Sequence, residues 1–148
     1  MTAFLSTEQG GSANQTAIPV GYRPRGNVVG GRLKRLRSTI TFASQASGDT
    51  IALGNLPAGS VFAYGVMTVD TSTGSATVAV GVSGTAAKYK AAAALTSTDT
   101  PTLFGKAAPI AASDAGLAAD EAVIATVGAA ALPSSGTMVI DLFYSSAN

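Results

Sequence analysis

Few side chains in this sequence could do chemistry, and their spacing excludes most reactions. The 148 residues contain no His and no Cys. That removes disulfides, thiolate nucleophiles, imidazole or thiolate metal sites, and the usual general base near neutral pH. A serine nucleophile would then need a lysine as its base, but the chain has no Ser-x-x-Lys spacing and no Gly-x-Ser-x-Gly elbow. Ser83 in "GVSGT" comes nearest, and it reads as a turn residue. A phosphate-binding loop fails at Gly105-Lys106, which is followed by Ala107 and Ala108 rather than Ser or Thr. Asp120 and Glu121 are the only adjacent carboxylates. Neighbours on a strand point to opposite faces, so they read as solvated charges and not as an acid/base pair. "DTSTG", Asp70–Gly74, offers one carboxylate where a calcium loop needs several. No catalytic, cofactor-binding or metal-ligating residue is assigned; the expectation is a protein without a cofactor that is not an enzyme.

The remaining chemistry is charge. "RPRGNVVGGRLKRLR", Arg23 to Arg37, holds six of the nine positive charges. With Glu8 the only acid before it, residues 1–37 carry +5, and the other three lysines against seven acids leave residues 38–148 at −4. Such a run could neutralise nucleic-acid phosphates, but Tyr22 is the only ring nearby and no aromatic interleaving supports base stacking. It could lie across an acidic protein surface, where Arg forks pair bidentately with carboxylates and Gly30-Gly31 permits close backbone approach. It could also simply solvate an extended segment. The candidate contact set is Tyr22, Arg23, Arg25, Gly30, Gly31, Arg32, Lys34, Arg35 and Arg37. Leu33 and Leu36, among the later charges, mark entry into a first strand.

The elements that must position these residues are strands. Charged residues make up 11% against 47% apolar, too few charges for a lone monomer's surface, so copies of the chain or a partner should cover part of it. The N-terminus lacks a basic region ahead of a long apolar core, and no apolar run approaches the ~20 residues of a membrane span. Residues 1–34 read as an extended basic N-terminal arm, and 35–148 as one all-β domain: a β-sandwich or jelly-roll-like body of about eight short antiparallel strands. In "LRSTITFAS", Leu36, Ile40 and Phe42 share a face on which Ser38 is the lone polar member. "DTIALGN" follows a turn at Ser47-Gly48-Asp49. "SVFAYGVMTVD" is apolar on both faces, as a strand buried between two layers would be. "TSTG", Thr71–Gly74, resembles a hairpin loop, and "SATVAVGVS" a strand packed on one side only. "AAKYKAAAAL" is ambiguous between helix and strand; the alternation of Lys88-Tyr89-Lys90 favours strand. Thr96–Asp120 reads as a long connection with a helical turn near Ala115–Ala119. "EAVIATVGAA" and "GTMVIDLFYSS" are the clearest late strands.

The phrases "GDTIALGNLPAGSVF", "ATVAVG", "AAKYKAAAALTSTDTPTLFG" and "GTMVIDLFYS", within residues 36–146, resemble small virion structural proteins of tailed bacteriophages, in particular the capsid decoration (cement) proteins. The resemblance implies a β-sandwich with an N-terminal arm, assembled as a homo-oligomer, with a trimer favoured. It also implies placement on the outer capsid surface after synthesis in the host cytoplasm, where the protein clasps neighbouring major capsid subunits. No small-molecule substrate, membrane or nucleic acid is implied. Tail or head-tail joining proteins share the composition and stand as the alternative, with a nucleic-acid-binding module behind them. A receptor-binding domain would expose aromatic rings, whereas most of the nine here fall on apparent core faces.

Overall fold

The computed structural model describes residues 32–105 and 115–146. The alternating runs form eight strands: β1 (Arg32–Thr41), β2 (Thr50–Leu56), β3 (Val61–Val69), β4 (Thr77–Val82), β5 (Thr85–Ala94), β6 (Thr102–Gly105), β7 (Glu121–Gly128) and β8 (Thr137–Ser146). They pair antiparallel into two four-stranded sheets, β1-β8-β3-β6 and β2-β7-β4-β5. Among consecutive strands only β4 and β5 make a hairpin, turning at Ser83-Gly84, where Gly84 adopts a φ of 81° that costs glycine no Cβ clash. Every other step along the chain passes from one sheet to the other, which is the winding of a jelly roll. No helix occurs among the described residues.

The inward faces close on small and medium side chains, among them Ile40, Met67, Val78, Val80, Val127 and Ile140, all buried. The rings concentrate at one end. Phe62 of β3 packs 4.6 Å from Tyr89 of β5 and 6.4 Å from Phe104 of β6, joining the two sheets. Ser38, the polar member of β1's inward face, donates to the carbonyl of Leu53 at 2.5 Å. That carbonyl lies in a register break of β2 between Ala52 and Gly54, and a bulge of this kind leaves a backbone group without its ladder partner. Gly54 has a φ of 135°, and a Cβ there would lie 2.9 Å from Leu36, so the bulge also admits Leu36 from the facing sheet. Ser38→Ala should therefore cost about 1 kcal/mol, read as a lower urea midpoint at unchanged slope.

Several sequence expectations are corrected. Lys88-Tyr89-Lys90 lies in β5, as favoured, but Thr71–Gly74 is no hairpin: it carries the chain from β3 in one sheet to β4 in the other. Buried Thr73 braces it, donating to the Ala76 carbonyl and accepting from the Leu95 amide, each at 2.9 Å. The connection Thr96–Asp120 contains β6, and Ala115–Ala119 forms bends rather than a helical turn. Asp120 and Glu121 are not merely solvated. Asp120 accepts from the Ala58 amide at 2.7 Å, while Glu121 takes the Lys88 ammonium and, at 2.6 Å, the Tyr89 hydroxyl. Burial, then the hydrogen bond to Glu121, pushes the Tyr89 phenol well above its ordinary pKa.

The expectations for β3 and β4 are both reversed. β4 is buried on its second face too, at Ala79 and Gly81, and over Gly81 the start of β5 curls back. A Cβ on Gly81 would lie 2.2 Å from the Thr85 carbonyl oxygen. β3 buries one face, on Phe62, Gly65, Met67 and Val69, and leaves Tyr64, Val66 and Thr68 half-buried on the other. No described strand covers that second face.

Candidate protein-interaction surface

β1 pairs with β8 over ten residues without a register break. Its even-numbered residues from Leu36 onward turn toward the core, and Leu33, Arg35, Arg37, Thr39 and Thr41 line the outer face of the sheet. The strand begins at Arg32, so Arg32, Lys34, Arg35 and Arg37, four of the six cations in the basic run, belong to the folded body. Tyr22, Arg23, Arg25, Gly30 and Gly31 lie outside the described residues.

Arg37 stands directly across the ladder from Asp141 and grips it in a fork. Its Nε donates to Oδ1 at 2.7 Å and its Nη2 to Oδ2 at 2.6 Å. Arg35 approaches the same carboxylate, Nε to Oδ1 at 4.0 Å, with its side chain 53% exposed. Lys34 is on the opposite face and donates to the Ser146 hydroxyl at 3.4 Å. Arg32 is exposed at the strand's start, opposite Ser146. The structure thus brings two of the candidate residues, Arg35 and Arg37, together around one acid.

The Arg37 hydrogen bonds hold the Asp141 carboxyl below the usual carboxylate range, and Asp141 in turn raises Arg37. A carboxyl whose pKa is lowered by folding stabilises the fold above its unfolded pKa and loses that contribution as pH falls through the folded value. Asp141→Asn should therefore melt below the wild type at pH 7, with the gap narrowing and closing below about pH 4. Melting curves across that range check it.

Register carries the outer face onward. Asp141 pairs with Val66 of β3, and Val66 with Leu103 of β6, so Arg37, Asp141, Val66 and Leu103 form one row across four strands. The next row runs Arg35, Phe143, Tyr64, Gly105. Within it the rings of Phe143 and Tyr64 stack 4.7 Å apart. Leu33, 51% exposed, and Leu103, 69% exposed, are the two exposed large apolar side chains among the described residues, and both lie on this face. Its apolar half was absent from the candidate set. The signal for it was β3's apolar character on both sides.

Other polar clusters have structural partners. Lys90, buried, donates from Nζ to the carbonyls of Val78 and Ala91, at 3.2 and 3.1 Å, where the β4–β5 register shifts, and burial lowers its pKa. Among the described residues no three His, Cys, Asp or Glu side chains group as metal ligands.

The sequence matches no protein-family model and no curated protein. The fold is similar to that of chains in three solved assemblies. A chain of the "Cyanophage Pam1 capsid asymmetric unit" aligns with a TM-score of 0.64 at 19% identity, covering 91% of this chain and 98% of that one. "Capsid of Ralstonia phage GP4" gives 0.60 at 23% identity, over 78% and 85%. "Acidic stable capsid structure of Helicobacter pylori bacteriophage KHP30" gives 0.55 at 17% identity, over 78% and 89%. At these identities the likeness is one of fold.

Proposed function

We propose that this chain is a phage structural protein that decorates and cements the outer surface of a capsid by bridging neighbouring major capsid subunits. The observation that carries the reading is the end-to-end match of its jelly roll to a chain in the cyanophage Pam1 capsid asymmetric unit, over 91% of this chain and 98% of that one. The basic β1 row and the sparse surface charge support a protein partner. Arg37 is already committed to Asp141, which leaves a weaker footprint for nucleic acid than the run of charges implied.

The mechanism is mass action. A protein that binds the assembled shell and not its separated subunits stabilises the shell by RT ln(1 + [L]/Kd), about 2.7 kcal/mol per site at a hundredfold excess over Kd. Assembly as a trimer would present three arms at once, so modest individual contacts combine into tight attachment.

The test adds purified full-length chain to shells made without it and follows co-sedimentation and the temperature of shell rupture. Saturable binding with a raised rupture temperature is expected. Absence of binding, or binding to isolated tails instead, contradicts the proposal.

A further inference from the structure

We infer that the outer face of the β1-β8-β3-β6 sheet is the seat of the body on its partner, and that the occupant is an acidic protein surface with an apolar side chain opposite Leu103. The inference rests on the cementing role and names the face and the chemistry through which it acts.

Four observations converge on this face. β3 carries the sequence pattern of a strand covered on both sides, yet its Tyr64, Val66 and Thr68 side lies under no described element. The two exposed large apolar side chains of the described chain, Leu33 and Leu103, both project from it. Between them stands the Tyr64–Phe143 stack, of the aromatic type that anchors interfaces. Around their edge, Arg35 and Arg37 face a single carboxylate, Asp141.

Charge selects the occupant. A second copy laid face to face about a two-fold axis would bring two more arginines and one more aspartate, leaving the excess positive charge in place. A surface that supplies its own carboxylates opposite β1 removes that excess and desolvates the apolar rows without stranding a guanidinium. Four strands about 4.8 Å apart, taken over seven residues, give roughly 400 Å², half of the roughly 800 Å² per partner of a standard interface. In so small a contact a single reversed charge or buried acid carries a large share of the binding.

The test measures binding of full-length chain to shells made without it, using Leu103→Asp, Arg35→Glu and, on the outer face of the opposite sheet, Ala122→Asp. Leu103, Arg35 and Ala122 are all exposed, and melting curves of each variant check folding. Should Leu103→Asp fail to fold, Arg35→Glu carries the test. About tenfold or greater weakening is expected for Leu103→Asp and Arg35→Glu, with Ala122→Asp unchanged. Wild-type binding matched by both face variants overturns the face assignment while leaving cementing intact. So does equal loss in Ala122→Asp, or an isolated oligomer that dissociates on Leu103→Asp. Failure of the wild type to bind shells overturns the cementing role and this inference with it.

Discussion

Gly81→Ala should unfold much of the body at temperatures where the wild type is intact. The added Cβ would lie 2.2 Å from the Thr85 carbonyl oxygen and 2.5 Å from that of Ala86. Both atoms are backbone, so no side chain can rotate aside. On its other flank Gly81 is held in register with Ile124 of β7, which blocks retreat. Overpacking in cores costs about 1–3 kcal/mol when side chains absorb it; with backbone on both sides the upper end, about 3 kcal/mol, is expected. For a domain of this size that lowers the melting temperature by about 10 °C. A melting temperature within two or three degrees of wild type, by calorimetry, would show that β5 does not curl over β4 as described. The hairpin matters because it sets Tyr89 against Phe62 and Glu121, closing the end of the sandwich near the start of β1.

Deleting residues 1–31 should leave a folded body that binds shells about a hundredfold more weakly. The described core and the whole β1–β8 ladder lie within residues 32–146, so the melting temperature should change little. A longer deletion, through Arg37, would remove six of the ten ladder positions and the partner of Asp141, confusing loss of fold with loss of binding. The removed segment carries Arg23, Arg25 and the Gly30-Gly31 pair. On the cementing proposal the segment would act as a tether that turns a second contact into an intramolecular one, and losing such a link typically costs a factor of 10² to 10⁴. Equal shell binding by truncated and full-length chains would assign attachment to the body alone.

The strands and their turns were legible because alternation and turn chemistry are local. β8 alternates Met138, Ile140 and Leu142 against Val139, Asp141 and Phe143, and the Ser47-Gly48-Asp49 turn stands where it was read. β6 was not legible, since four residues after Pro101 leave too short a period. Sheet membership was not legible either: nothing within Thr71–Gly74 distinguishes a hairpin from a crossing between layers. Burial on a strand's second face depends on what packs there, and the curl of β5 over Gly81 arises from tertiary structure. The basic run was visible as charge, and Leu33 and Leu36 marked its entry into a strand, but the partner of its last arginine was hidden. Arg37 finds Asp141 104 residues away, a pairing set by the β1–β8 register and by no local spacing. Ser38 shows the reverse case, a visible anomaly in the pattern whose cause, the bulge at Gly54, lies in the facing sheet.

The cementing proposal places this chain on the outside of a capsid shell. The most direct measurement is a pair of cryo-electron-microscopy reconstructions of the particle, with the chain present and with it deleted. An eight-stranded body on the outer shell surface in the first, seated through its β1-β8-β3-β6 face and absent from the second, is the result expected. Identical shells in the two maps, with the difference confined to the tail or the head-tail junction, would contradict it.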